Sequence, residues 1–276
     1  MATSESDQAF ASFEQKWLAA NPEQAMVGLF VAPSVRLRAV AFGCLVHELG
    51  AAAYEIQETE VAAAKLAWWA QELEVAATGH ARHPVTHALF DDVAQAVDHS
   101  LWPALAVGAF KQVESHAGAT LDDLIERREP FHLAIADAES ALFLGDTANI
   151  DANAALWSLS SLLHALRGVV GERMPIPLDL LARHGLTRAD LAKPGSARDA
   201  LIKDYLVALQ FEIRGAQGVA SARTLAQRVR VRADLALIAR ALRAADPVEV
   251  VASSRIGQLR ALYLAWSEAR AQTRGR

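Results

Sequence analysis

Apolar residues recur at the three- and four-residue spacing of an α-helix along most of the chain. Ser34–Gln57 shows the pattern most clearly, because its large apolar side chains fall at helical spacing with alanines between them. Val61–Ala77 repeats the pattern and ends at Thr78-Gly79, where glycine readily takes the left-handed conformation of a helix C-cap. No stretch alternates apolar and polar residues as a half-buried strand does. The sequence therefore predicts an all-α fold, packed as one large orthogonal helical bundle.

The remaining helices are predicted from the same spacing and from local start and stop signals. Proline cannot donate the helical hydrogen bond, so Pro130 is expected to end the helix that begins at Leu121. Thr120 and Thr187 each precede an aspartate by three residues, which is the pattern of a capping box. A break is expected near Gly145–Ile150. The further predicted helices are Val85–Ser100, Pro103–Glu114, Leu121–Arg128, Asp137–Gly168, Ser196–Ala222, Ala222–Ala245 and Ser254–Ala271.

Length and composition favour a single domain over residues 1–276, because 276 residues that are 53% hydrophobic can bury one large core. The polar ends near residues 1–8 and 271–276 are expected to be mobile. The single cysteine, Cys44, lies in an apolar run and is expected to be a buried thiol.

Charge and hydropathy limit the partners and the location of the protein. A net charge of −5 argues against nucleic-acid binding, which depends on clustered basic residues. The start of the chain lacks the basic and apolar regions of a secretory signal, and no window approaches the length of a membrane span. We therefore expect a cytoplasmic protein without a transmembrane segment, for which contact with a membrane surface stays open.

Two sets of polar residues have simple structural explanations. The histidines His80, His83 and His87 have metal-like spacing but no acidic or cysteine ligand suitably placed beside them, so a polar interhelical loop is expected there. Asp91-Asp92 and Asp122-Asp123 fall near helix starts, where carboxylates favour the positive end of the helix dipole.

Arginines recur at helical spacing in the region Arg223–Arg243. They predict either a solvated helix face or a basic strip for lipid headgroups or an acidic protein surface. The residues are Arg223, Arg228, Arg230, Arg232, Arg240 and Arg243.

Several segments follow one another in a distinctive order. Arg36–Glu48 precedes KLAWWAQEL at Lys65–Leu73 and HPVTHAL at His83–Leu89. Leu166-Arg167 then leads through RMPIPLDLL at Arg173–Leu181 into ARHGL at Ala182–Leu186. In this order the segments resemble the squalene/phytoene synthase family of head-to-head prenyl transferases. The resemblance implies a helical bundle of the isoprenoid (terpenoid) synthase type.

The same resemblance shows what the chain lacks. Active members of the family bind two prenyl diphosphates through Mg²⁺, which is held by two D-x-x-x-D motifs on facing helices. At the first motif this chain has His47 and Glu48, with alanine one turn further on. At the second motif it has Arg167 followed by glycine, and then Glu172 and Arg173. We therefore expect no catalytic residues, no metal ligands and no cofactor.

A scaffold or assembly function follows as the leading hypothesis, with a protein partner or a hydrophobic, isoprenoid- or lipid-like ligand. A mitochondrial assembly factor for respiratory complex I also lacks the aspartate motifs, and its short R-x-x-x-L-P segment resembles that of this chain. The segment Leu259–Trp266, with aromatic residues before a basic end, is similar to that group as well.

The alternative is an active isoprenoid enzyme whose Mg²⁺ ligands come from other helices. Its candidate ligands are Asp137, Glu139, Asp146 and Asp151, and its candidate diphosphate contacts are Arg36, Arg38, Lys65, Arg167 and Arg173. The two hypotheses differ in what they expect inside the bundle. An open apolar tunnel near Phe42, Trp69 and Leu163 would favour a hydrophobic ligand, whereas a filled one would favour a pure scaffold.

Overall fold

The computed structural model of the chain describes residues 5–113, 118–145, 149–168, 174–253 and 256–274, and these residues contain no strand. The helices are α1 (Glu5–Ala20), α2 (Pro33–Tyr54), α3 (Thr59–Ala77), α4 (Pro84–Leu89), α5 (Asp92–Ala96), α6 (Leu101–Val113), α7 (Leu121–Glu139), α8 (Ile150–Gly168), α9 (Leu178–Arg183), α10 (Ser196–Val219), α11 (Leu225–Ala241), α12 (Pro247–Ser253) and α13 (Gln258–Arg274). Two 3-10 segments, Pro22–Phe30 and Arg188–Ala192, and a π-helical turn, Ser140–Leu144, join them.

The prediction of an all-α helical bundle is confirmed. Helices α1 to α7 bury one large apolar cluster, which includes Cys44, and α8 to α12 bury most of a second. A third, smaller cluster lies between the first 3-10 segment, α11 and α13. Helices α7 and α8 pack along each other and so bring the two large clusters together.

The prediction that Pro130 ends its helix is wrong, because α7 continues through this proline to Glu139. A proline inside a helix costs one backbone hydrogen bond and strains the preceding turn. Tertiary burial offsets that cost here, since Phe131 and Ile135 follow the proline and are completely enclosed. Beyond Glu139 the helix passes into the π turn, and the predicted break near Gly145–Ile150 is confirmed.

The predicted helix Val85–Ser100 is divided into α4 and α5. Asp91 causes the division, because its carboxylate accepts hydrogen bonds from the backbone N–H groups of Val93 and Ala94 and so starts a new helix. Both predicted capping boxes are confirmed, at Thr120 with Asp123 and at Thr187 with Asp190.

Three helical elements were not predicted from the sequence, namely α1, the 3-10 segment Pro22–Phe30 and α12. Trp17 of α1 is buried against α2, which carries Gly43 where the indole ring passes. Helix α1 begins at Glu5 and α13 ends at Arg274. That the ends near residues 1–8 and 271–276 are mobile stays a prediction. That the chain forms a single domain stays a prediction as well. None of the helices in the described ranges is both long and apolar enough to cross a membrane.

Candidate functional site

Glu48, which the resemblance assigns to the first motif, lies on the inner face of α2. Its side chain is buried and forms two ion pairs, one from each neighbouring helix. Lys16 Nζ of α1 lies 2.6 Å from Oε1, and Lys65 Nζ of α3 lies 3.0 Å from Oε2. Burial by itself raises the pKa of Glu48, but the hydrogen bonds from Lys16 and Lys65 outweigh it, so the pKa lies below its ordinary value.

This arrangement does not fit a Mg²⁺ site. Mg²⁺ is held by carboxylate oxygens in near-octahedral geometry, and both oxygens of Glu48 already accept hydrogen bonds from ammonium groups. The residue one helical turn further on is Ala52, which is buried and offers no oxygen on its side chain. Lys65, a candidate diphosphate contact, therefore compensates the charge of Glu48 instead.

His47, the second residue of the first motif, is half-buried. Burial lowers its pKa, while the charges of Glu48 and Glu55 raise it and those of Lys16 and Arg230 lower it. Arg230 belongs to α11, and its guanidinium lies over the ring of Trp157 at 4.4 Å from the ring centroid. A cationic arginine of α11 therefore acts electrostatically on His47 of α2.

Arg167 of the second motif lies in the last turn of α8 and lines a small cleft of about 40 Å³. Arg240 and Arg260 line the same cleft, together with Asp234, which binds His164 at 2.8 Å. Neither His47 nor Glu48 is among the residues that line this cleft. Glu172 and Arg173 lie outside the described residues.

The other two candidate diphosphate contacts, Arg36 and Arg38, differ in their burial. Arg36 is exposed near the start of α2. Arg38 is buried, forms an ion pair with Asp91 and lies 5.6 Å from the ring centroid of Phe143. Its contacts therefore tie α2 to the start of α5.

The carboxylates of the alternative hypothesis also have separate surroundings. Asp137 lines a surface groove between α6 and α7, and burial followed by the charge of Asp98 raises its pKa. Glu139 is buried and accepts hydrogen bonds from Trp157 Nε1 at 3.0 Å and Thr224 Oγ1 at 2.6 Å. Asp151 is exposed in the first turn of α8, and Asp146 lies outside the described residues. Among the described residues no three His, Cys, Asp or Glu side chains are grouped so that they could hold a metal ion.

Glu72 is the residue of the W-W-x-x-E segment whose role the sequence did not indicate. It is completely buried in α3, and its Oε1 accepts hydrogen bonds from the backbone N–H groups of Arg82 and His83 and from Thr86 Oγ1. Its Oε2 accepts a hydrogen bond from Arg82 Nε at 3.0 Å. Glu72 of the W-W-x-x-E segment therefore contacts the start of the H-P-V segment that follows it. This contact fixes the loop between α3 and α4.

Of the three histidines, His80 and His83 lie in the loop between α3 and α4, and His87 lies in α4 itself. His83 Nδ1 accepts a hydrogen bond from the Val85 backbone N–H and so caps α4. The His83 ring also packs edge-on against Trp68 and Trp69. His80 contacts Thr78 Oγ1 at 3.2 Å, and His87 is exposed.

The walls expected for an apolar tunnel are closed. Phe42, Trp69 and Leu163 are only 5%, 2% and 0% exposed. A tunnel wide enough for a prenyl chain would leave such walls accessible to water, so these three side chains are packed against protein.

The arginines of Arg223–Arg243 do not form one uniform strip. Arg230 faces Trp157 inside the bundle, whereas Arg240 and Arg243 are exposed. Arg228 and Arg232 bind Glu268 of α13 at 3.2 and 2.8 Å. The basic stretch is therefore divided between internal contacts and solvent.

No protein-family model matches the sequence, and no curated protein matches it significantly. Solved structures do match. A dehydrosqualene synthase in complex with ligand superposes with a TM-score of 0.70 at 15% identity, over 99% of this chain and 99% of that chain. The squalene synthase HpnC from Alicyclobacillus acidocaldarius superposes with a TM-score of 0.65 at 16% identity, over 87% of this chain and 95% of that chain. At these identities the similarity shows the fold, which is that of the isoprenoid synthases.

Proposed function

We propose that this chain uses the fold of the squalene and phytoene synthases without metal-dependent prenyl transfer, as a scaffold or assembly protein. The observation that carries the proposal is the ion-paired state of Glu48, whose oxygens are bound to Lys16 and Lys65. Ionisation of an allylic diphosphate in an apolar site needs cations to offset the charge of the diphosphate, and Mg²⁺ needs carboxylates to hold it there.

The packed interior supports a protein partner over a ligand inside the bundle. Phe42, Trp69 and Leu163, which were expected to lie near an open tunnel, are packed against protein. The similarity of Leu259–Trp266 to the complex I assembly factor suggests the same kind of role. A cytoplasmic location and a hydrophobic, isoprenoid- or lipid-like ligand stay predictions.

The direct test is incubation of the purified protein with farnesyl or geranylgeranyl diphosphate and Mg²⁺, followed by extraction and chromatography of hydrocarbons. A dehydrosqualene synthase assayed in parallel is the positive control. We expect no product above the protein-free blank. Robust formation of a squalene- or phytoene-type hydrocarbon would overturn the proposal.

A second test asks whether Glu48 takes part in metal binding, by thermal unfolding with and without Mg²⁺. We expect the melting temperature of the wild type and of Glu48→Gln to respond equally to Mg²⁺, because the carboxylate is bound to lysines. Glu55→Gln, an exposed change at the end of the same helix, is the matched control. A Mg²⁺-dependent rise in melting temperature that only Glu48→Gln abolishes would contradict the proposal.

A further inference from the structure

Helix α13 leaves an apolar stripe on its outer face. Leu259, Leu262, Tyr263 and Trp266 recur at the spacing of one helix face and are 84%, 37%, 56% and 43% exposed. The opposite face is anchored, since Ala261, Leu264 and Ala265 are buried. The outer stripe is therefore a fixed surface of the folded protein, with large apolar side chains that contact no core.

Arginines surround this stripe. Arg260, Arg270 and Arg274 of α13 are all exposed, and Arg270 lies over the ring of Trp266 at 5.4 Å from the centroid. From α11, Arg232 lies 6.0 Å from the ring centroid of Tyr263. Cationic groups thus stand beside both aromatic rings.

The acidic residues of the two helices are turned away from this surface. Helices α11 and α13 together carry seven arginines and only two carboxylates, Asp234 and Glu268. Asp234 is buried against His164, and Glu268 is bound by Arg228 and Arg232. In a chain of net charge −5, this side is consequently a local basic surface.

We infer that the outer face of α13 docks the protein on an anionic lipid surface. A helix with Trp, Tyr and Leu on one face and arginines at its edges is suited to the membrane interface. Its apolar side chains enter about 5–10 Å into the boundary between headgroups and acyl chains, while the arginines reach the phosphates. The inference does not depend on whether the protein has prenyl transferase activity.

The charges favour lipid over a second copy of this chain. Two copies that paired their stripes about a two-fold axis would bring two basic surfaces together, and like charges oppose such contact. An anionic bilayer offers both of the environments that the surface requires, negative phosphates for the arginines and an apolar layer for the stripe.

Vesicle flotation tests the inference. We expect the wild type to float with vesicles of equal parts phosphatidylcholine and phosphatidylglycerol, to bind vesicles of phosphatidylcholine alone much less, and to dissociate at high salt. Leu259→Ser combined with Trp266→Ser should weaken binding at least about tenfold, since both lose apolar burial. Arg270→Gln combined with Arg274→Gln should weaken it about fivefold per arginine.

The matched controls change equally exposed residues of α10. Val207→Ser with Phe211→Ser removes two exposed apolar side chains, and Arg214→Gln removes an exposed arginine. Both controls should bind as the wild type does, and the melting temperatures of all variants are compared to verify folding. Absence of wild-type binding to the anionic vesicles, or equal loss in the controls, would overturn the inference. Self-association abolished by the α13 changes, without vesicle binding, would assign the stripe to a protein contact and also overturn it.

Discussion

Glu72 holds the loop between α3 and α4 through both of its carboxylate oxygens. Burial alone raises its pKa, but the hydrogen bonds from Thr86, from the Arg82 and His83 backbone and from the Arg82 side chain together lower it. A buried carboxylate with this many donors is costly to replace, because each donor left unpaired retains its desolvation penalty.

Glu72→Gln is therefore expected to lower the free energy of unfolding by about 2–4 kcal/mol, since an amide accepts at only one of its two ends. Denaturant unfolding at neutral pH measures the loss. The exposed Glu74→Gln on the same helix should change stability by less than about 0.5 kcal/mol. Equal effects of the two changes would show that Glu72 has no such role.

Among the histidines, His132 has a pKa that is lowered far into the acid range. It is enclosed between α7 and α8, where it lies 3.0 Å from Ser158 Oγ. Burial and, after it, the charge of Arg128 lower its pKa to about 3, far below the ordinary histidine value of 6.5. The folded protein therefore keeps His132 neutral under conditions in which the unfolded chain takes up a proton.

Stability should accordingly fall as the pH drops below 6.5 and continue to fall toward the folded pKa of about 3. His132→Asn removes one proton-binding group from the unfolded chain. The slope of the unfolding free energy against pH should therefore decrease by at most about 1.4 kcal/mol per pH unit. Unfolding free energies between neutral pH and the onset of carboxylate titration provide the slope. His99→Asn, at an exposed position, is the control, and a slope unchanged by His132→Asn would refute the prediction.

At the scale of elements, Gly108 sets how closely α6 and α7 approach. A Cβ atom added there would lie 2.6 Å from the Pro130 carbonyl oxygen and 2.8 Å from the Phe131 Cα. These are backbone atoms in the part of α7 that continues through the proline, so the side of α7 that faces α6 has no room for a methyl group. The close approach helps to bury Phe131 and thereby supports the helix beyond Pro130.

Gly108→Ala should therefore destabilise the protein by about 1–3 kcal/mol through overpacking, although alanine has the higher helix propensity. Gly215→Ala in α10 is the matched control, because no atom lies within 4 Å of the added Cβ. That change should stabilise the protein by up to about 1 kcal/mol. Opposite signs in thermal or denaturant unfolding are expected, and a stabilising Gly108→Ala would disprove the close approach.

At the scale of the whole molecule, Trp157 joins the two large core clusters. It belongs to α8, whose leucines form the second cluster, yet its own ring packs against the first. Its Nε1 donates to Glu139 of α7, and Arg230 of α11 covers its ring. One side chain thus connects three helices where the two halves of the bundle meet.

Trp157→Phe should lower the free energy of unfolding by about 1–3 kcal/mol, because buried Glu139 loses one of its two donors. Denaturant unfolding followed by circular dichroism measures the change. Trp68→Phe, at a partly exposed ring of α3, should cost less than about 1 kcal/mol and serves as the control. Equal costs at the two positions would argue against a special role of Trp157 between the clusters.

The helical class, the order of the main helices, the capping boxes and the break before α8 were all predictable from the sequence, because these signals act between residues a few positions apart. The resemblance also indicated the isoprenoid synthase fold. Contacts between distant segments decided the rest. Glu48 is bound by lysines 32 and 17 residues away in sequence, and the first of these lies on a helix that the periodicity did not reveal.

The same reason explains the other differences. Whether Pro130 stops a helix depends on how much apolar surface the following residues bury against α6 and α8, which local propensity does not contain. The spacing of Leu259, Leu262, Tyr263 and Trp266 indicated one face of a helix. Only the packing of the buried residues of α13 against α11 and the first 3-10 segment turned that face outward. Sequence periodicity identifies an apolar face, but the burial available elsewhere in the fold determines whether that face meets the core or the solvent.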